Sequence, residues 1–324
     1  MSAPEQPDLR EQPGGLADAP PLARGTLDRA ALHRTDDEWL AAAWERGRVL
    51  LVDLDKGGRA LVTDGPELVL LPPAEAPEGE RWFLGVDTDE TPLWAIDAPL
   101  PEIKGGHAVT LRDIGHLLSD RDAGILTTAV ALGNWHRSHR FSPRTGLPTT
   151  TVEAGWARRD TDGNMMWPRT DPAMIVLVHD GVAGPEGRCL LGHNAAWGRA
   201  ADGGLRFSCL AGYVEPGESS EAAVAREVGE EVGLTLTSLR YAGSQSWPFP
   251  GSLMLGFHAT ADPAQPVRLD PAEIDEAHWF SREDVAKMIA GDFHHSESGV
   301  EMSLPMPSSI AFYLIERWLG GLTR

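Results

Sequence analysis

The chain has 324 residues, 42% hydrophobic and 23% charged, an ordinary globular composition whose length suggests two domains with a small module between them. Its 28 Lys and Arg against 48 Asp and Glu leave a formal charge of -20; such a field repels bulk nucleic acid and anionic membrane, so an anionic substrate would need bridging cations. The two cysteines, Cys189 and Cys209, lie in the apolar stretches RCLLGH and FSCLAG, which reads as core residues in a reducing compartment and makes no zinc site by itself.

Residues 1–30, rich in Pro, Gly, Ala and acids, are expected to be disordered. They begin without a basic start or apolar run, and the apolar run at AMIVLV is too short to span a bilayer, so a cytoplasmic location is expected. Over 31–133 the short apolar runs RVLLVD, RALVT, LVLLP, RWFLGVD and LWAID alternate with turn residues, predicting a mostly β domain. A helix over Asp120–His139 closes it. Residues 134–169 form an irregular connector punctuated by Gly146, Pro148, Gly155 and Gly163. From 170 to 324 the pattern is α+β: strands at AMIVLVH, CLLGH, SLMLGFHAT and EAHWFS, and a closing helix near Ser308.

Between these strands, SEAAVAREVGEEVG predicts a helix capped by Ser219 or Ser220 and stopped by Gly233. Ala222, Val224, Ala225, Val228 and Val232 make its apolar side. Glu227, Glu230 and Glu231 stand at i, i+3 and i+4, so three like charges leave one face and repel unless a divalent cation lies between them. Arg226 beside them can hold a carboxylate in a two-pronged grip. Gly229, inside the helix, costs about 1 kcal/mol relative to Ala, which suggests a close backbone approach there. A surface helix with surplus acid is the plainer reading of Glu230 and Glu231 taken alone.

The wider spacing separates the two readings. Gly212, Glu218, Arg226, Glu227, Val228, Glu230, Glu231, Gly233 and Leu234 stand as they do in the Nudix box, and the chain resembles the Nudix hydrolases. The resemblance implies an α/β/α sandwich over 170–324, Mg²⁺ or Mn²⁺ as cofactor, and hydrolysis of a nucleoside diphosphate linked to another group. By the same resemblance Glu227, Glu230 and Glu231 are metal ligands with Glu276 as a fourth carboxylate, and Gly212 and Gly217 shape the loop before the helix. Downstream, SQSWPFPGS (244–252) is similar to the SQPWPFPxS motif of the NADH pyrophosphatase branch, with Ser246 where that motif has proline. The branch cleaves NAD(H) to AMP and the nicotinamide mononucleotide, some members also remove NAD caps from RNA 5′ ends, and it is typically homodimeric. On this basis Tyr213 stacks on the nicotinamide ring, Gln245, Ser252, Met254 and Ala311 line the nucleotide pocket, and Trp167 is either a second aromatic wall or a packing residue.

One family feature is missing. Where the branch carries a four-cysteine zinc ribbon, this chain has Ser142, Thr145, Asp160 and Gly163, so no zinc is expected and packing of Trp156 and Trp167, or a dimer partner, must hold the connector. His136 and His139 read as structural, and Arg137, Arg140, Arg144, Arg158 and Arg159 as a solvated basic cluster that is the local candidate for RNA contact. Two other readings stay open: a hydrolase of ADP-ribose or a similar diphosphate, and a non-catalytic nucleotide sensor.

Overall fold

A computed structural model of the chain describes residues 18–199, 204–291, 294–295 and 301–321; the expected disorder of residues 1–17 falls outside them. The chain divides into an N-terminal unit, Pro21–Asp171 with Ser246–Ser252, and a C-terminal unit, Pro172–Gln245 and Leu253–Arg324 with Met1–Pro20.

In the N-terminal unit α1 (Asp37–Glu45) leads into β1 (Arg48–Val52), β2 (Arg59–Val62), β3 (Leu70–Leu71), β4 (Arg81–Val86), β5 (Pro92–Asp97) and β6 (His107–Thr110). Four of these form a sheet in the order β3-β1-β5-β4, with β1 and β5 parallel, and β2 pairs with β6. After a single turn, α2 (Leu111–Ile114), comes α3 (Asp120–Ser138), capped by Ser119. Its Ile125, Leu126, Ala129 and Val130 are completely buried against Leu50, Val52, Trp82 and Leu84. A helix apolar on most sides is a core helix, and the expected mostly β domain is built around it. Residues 18–30 depart from expectation: Leu22 is buried in this core and Asp28 pairs with Val86, because an apolar side chain and a strand edge both found partners.

The connector belongs to the same unit. Strands β7 (Thr149–Val152), β8 (Ala157–Asp160) and β9 (Met165–Met166) form a small antiparallel sheet. Ser142, Thr145 and Asp160, where the resemblance would place cysteines, join a hydrogen-bonded knot. The Thr145 hydroxyl donates to Asp160 Oδ2 at 2.8 Å. The opposite oxygen, Oδ1, accepts the backbone amides of Asp162 and Asn164, and Ser142 Oγ accepts those of Arg144 and Thr145. Ser142 and Asp160 are both buried. His136 is structural: Arg158 donates to its Nδ1, its Nε2 donates to the Gly155 carbonyl, and burial pushes its pKa down to about 4. Trp156 donates to the Phe83 carbonyl at 2.6 Å, but Trp167 is 58% exposed and does not hold the connector as expected.

The C-terminal unit contains β10 (Asp171–His179), β11 (Arg188–Asn194), β12 (Leu205–Arg206), β13 (Leu210–Tyr213), α4 (Ser220–Val232), β14 (Leu236–Trp247), β15 (Ser252–Ala261), β16 (Ile274–Ser281), α5 (Arg282–Ile289), β17 (His294–His295), β18 (Glu301–Ser303) and α6 (Ile310–Leu319). Its main sheet runs β14-β15-β10-β11-β16, with β13 alongside β10. On β10, Met174, Val176 and Val178 face the cluster that includes Val224, Val228 and Val232 of α4. Ile175 and Leu177 face the other cluster, with Val285 of α5 and Leu314 and Trp318 of α6. A strand with period two that is apolar at every position is covered on both faces, which makes the expected α/β/α sandwich.

Candidate active site

Helix α4 is local in origin. Ser219 caps it by accepting the Ala222 amide at 3.1 Å, and Gly233 ends it in the left-handed conformation at φ 70°. At about 100° per residue, Glu231 stands about 40° from Glu227 on the side of the valine stripe, and Glu230 about 60° on the other side. Accordingly Glu227 and Glu231 are buried at 8% and 2% exposure, while the Glu230 side chain is 58% exposed.

Glu273 completes the group. Oxygens of Glu227, Glu231 and Glu273 lie within 4.8 Å of one another. The delivery of Glu273 follows from the helix end: the last carbonyls of a helix lack intrahelical donors, and here the amides of Arg268 and Asp270 donate to the Val232 and Glu231 carbonyls at 2.9 and 3.1 Å. A turn at Asp270, whose Oδ1 accepts the Ala272 amide, then sets Glu273 beside the two helix glutamates. Glu276, the fourth carboxylate that the resemblance implies, is not part of this group. The β11-β16 ladder shifts register between His193 and Asn194, after which Ala277 and Trp279 pack on the α4 side and Phe280 on the opposite side. Period two puts Glu276 with Phe280, away from α4, where its carboxylate lies 3.4 Å from His278 Nε2.

Arg226 organises the rim. It grips Glu218 through two bonds of 2.9 Å, reaches Glu227 and Glu230 at 3.0 Å each, and donates to the Tyr213 carbonyl at 3.0 Å. The hydrogen bonds to Arg226 hold the Glu218 carboxyl below its usual range, and its carboxylate partners hold the Arg226 guanidinium above its own. Gly212 is required by the same packing: a Cβ there would lie 2.0 Å from Glu227 Oε1. Gly217, at φ 91°, turns the chain before the helix. Gly229 contradicts its expected role, since a Cβ there meets nothing within 4 Å.

Burial is the main cause that raises the Glu227 and Glu231 pKa values, reinforced by the neighbouring carboxylates; for Glu231 the result is about 8. Glu231 Oε2 is buried without a hydrogen-bond partner. An orphaned carboxylate oxygen among two further carboxylates is the donor set of a hard divalent cation, so the residues present fit one.

The other expected residues are dispersed in character. Tyr213 is 57% exposed, and Met254 is partly buried against the α6 cluster. Gln245, Ser252 and Ala311 are buried: Gln245 donates to the Ser308 carbonyl at 3.0 Å, and the Ala311 carbonyl accepts the Cys209 thiol at 3.7 Å. Of the basic cluster, Arg158 is buried and Arg137 is ion-paired with Asp97 and Asp55, leaving Arg140, Arg144 and Arg159 exposed. Among the described residues, no helix is long and apolar enough to cross a membrane.

Comparison with known proteins agrees with this architecture. Residues 170–298 match the NUDIX domain, and residues 38–135 the NADH pyrophosphatase-like rudimentary NUDIX domain. The chain is 43% identical over 311 residues to the NAD-capped RNA hydrolase NudC of Mycobacterium tuberculosis, covering 94% of this chain and 96% of that one. It is 37% identical over 250 residues to the human mitochondrial NAD(P)H pyrophosphatase NUDT13, covering 74% of this chain and 68% of that one. A solved NUDIX domain of Shewanella oneidensis NrtR, complexed with ADP ribose, aligns with 48% of this chain and 90% of its own at 15% identity and a TM-score of 0.36.

Proposed function

Because the chain belongs to the Nudix hydrolase family, within its NADH pyrophosphatase branch, we propose that it hydrolyses the diphosphate of NAD(H) to AMP and the nicotinamide mononucleotide. The observation that carries the reading is Glu231, buried with one oxygen unpartnered between Glu227 and Glu273. Bound Mg²⁺ or Mn²⁺ would neutralise the diphosphate and make a water acidic enough to attack at neutral pH. Glu227, Glu231 and Glu273 are the ligands in this reading. Arg226 fixes the Glu227 rotamer. Glu230 is exposed yet tethered to Arg226, and it is the carboxylate of the helix left to orient the water and accept its proton. Attack at one phosphorus breaks its bond to the bridging oxygen, so each product leaves as a monophosphate. Tyr213 offers an open aromatic face for the nicotinamide ring, and Gln245, Ser252, Met254 and Ala311 shape the nucleotide pocket.

The test is incubation of the purified protein with NADH and Mg²⁺ or Mn²⁺, followed by chromatography. AMP and reduced nicotinamide mononucleotide are expected. AMP from ADP-ribose alone would replace this reading with a different diphosphate substrate, and tight binding without turnover would make the protein a sensor.

A second substrate, the NAD cap of RNA, is favoured by the 43% identity to a NAD-capped RNA hydrolase. With a net charge of -20, contact with the RNA body would be local, through the exposed Arg140, Arg144 and Arg159. Capped RNA should yield 5′-monophosphate RNA. A homodimer in the cytoplasm completes the proposal; two buried free thiols, Cys189 and Cys209, suit a reducing interior.

A further inference from the structure

The segment Ser246–Ser252 connects two strands of the C-terminal sheet, yet it belongs to the N-terminal unit. Trp247 and Phe249 pack on the core cluster that holds α3, meeting each other edge to face at 5.2 Å between ring centroids. Asn134 of α3 donates from its side-chain amide to the Pro248 carbonyl at 2.6 Å. The guanidinium carbon of Arg112 on α2 lies over the Phe249 ring, 4.2 Å from its centroid, and 5.7 Å from that of Trp247. The Asp171 amide donates to the Gly251 carbonyl at 2.9 Å. Trp247, Pro248, Phe249 and Gly251 are therefore each held by something outside the segment.

The two ends of this segment matter to the function proposed above. Gln245 precedes it, buried and bonded to the Ser308 carbonyl; Ser252 ends it at the start of β15, and Met254 follows on the same strand. With φ fixed at Pro248 and Pro250, two of the seven residues, a displacement of the centre is passed along the chain towards those ends. We propose that Asn134 and Arg112 are positioning residues for substrate binding: they clamp the WPFP centre, and the clamp sets the register of Gln245, Ser252 and Met254. The inference rests on the NAD(H) reading.

The clamp touches neither the reacting phosphorus nor the carboxylates, so loosening it should act on KM and spare kcat. Asn134→Asp keeps the shape of the side chain and removes the donor; Arg112→Lys keeps the charge and removes the planar face. With the full chain, Mn²⁺ and varied NADH, Asn134→Asp should raise KM about five- to tenfold, as loss of one hydrogen bond of this kind does, with kcat within about twofold. Arg112→Lys should raise KM about two- to fivefold. In the double variant the two effects should fall short of multiplying, since both act on one segment. If Asn134→Asp does not fold, Arg112→Lys alone decides. A wild-type protein that releases no AMP from NADH would remove the functional reading. A wild-type protein that does, with KM in the folded variants within twofold of its own or with losses confined to kcat, would overturn the clamp.

Discussion

Two buried carboxylates, one in each unit, show how the same residue chemistry serves opposite ends. Asp160 in the connector and Glu231 on α4 are exposed by only 4% and 2%. Asp160 accepts from Thr145, Asn164 and the amides of residues 162 and 164, and this hydrogen bonding holds its pKa below the ordinary range. Glu231 has an oxygen with no partner and three carboxylates for company, and its pKa rises to about 8. A buried anion that the protein itself satisfies is structure; one that it leaves unsatisfied awaits a ligand. The connector is thus closed by a knot of neutral donors around Asp160, while the acidic helix keeps its need for a cation.

The contrast can be broken at several points, of which Glu231 is expected to matter most. Glu231→Gln should leave the fold intact and lower AMP release by about two orders of magnitude or more; an active Gln variant would show that its role is misassigned. Next is the comparison of Glu273 with Glu276. Glu273→Gln should weaken Mn²⁺ binding, measured calorimetrically, by about 10–100-fold, whereas Glu276→Gln should stay within about twofold of wild type. The reverse pattern would restore the ligand expected from sequence.

The pH dependence of the metal-free protein sharpens the same contrast. A raised folded-state pKa gives stability below the unfolded value of about 4.3 that is lost as pH rises towards 8. The buried His136 and His258, whose pKa values are pushed down to about 4 and about 3 by burial, add stability as pH rises through the unfolded value of about 6.5 and cease to contribute a slope only above about pH 7.5, so Glu231 is read as a difference from a variant that keeps both histidines. Between pH 6.5 and 8 the metal-free wild type should therefore lose up to about 2 kcal/mol relative to Glu231→Gln, and saturating Mg²⁺ should abolish that relative loss. Wild-type and Glu231→Gln profiles that run parallel would mean that Glu231 is not held in its neutral form. Asp160 has the opposite sign: its depressed pKa adds stability above the ordinary aspartate range, lost as pH falls through it. The smallest effect is structural. Asp160→Ala should lower the melting temperature by several degrees without changing metal affinity, and a chelator should leave the melting of wild-type connector contacts unchanged, as read by hydrogen exchange at Asn164.

Much of α4 was legible in the chain: the cap at Ser219, the stop at Gly233, the valine stripe and the two-pronged use of Arg226 all follow from rules that act within a turn or two. The helical angles already separate Glu231 from Glu230, a signal that the i, i+3, i+4 pattern alone blurs. The disordered tail was misjudged beyond residue 17 because Leu22 is a lone apolar residue in a polar stretch, and only the α3 core explains its burial. Gly229 looked costly enough to need a reason, and the structure offers none.

Local sequence determined the helix, the strands that are apolar on both faces, the motif spacing and the absence of thiolates in the connector, because each depends on neighbours a few residues apart. Only tertiary structure decided that Glu273 joins the acidic trio and Glu276 does not, that WPFP is held by Asn134 and Arg112, and that Asp160 is satisfied where Glu231 is not. Those outcomes depend on a ladder register, on the unpaired carbonyls at a helix end and on donors arriving from distant parts of the chain, none of which leaves a periodic trace in the residues themselves.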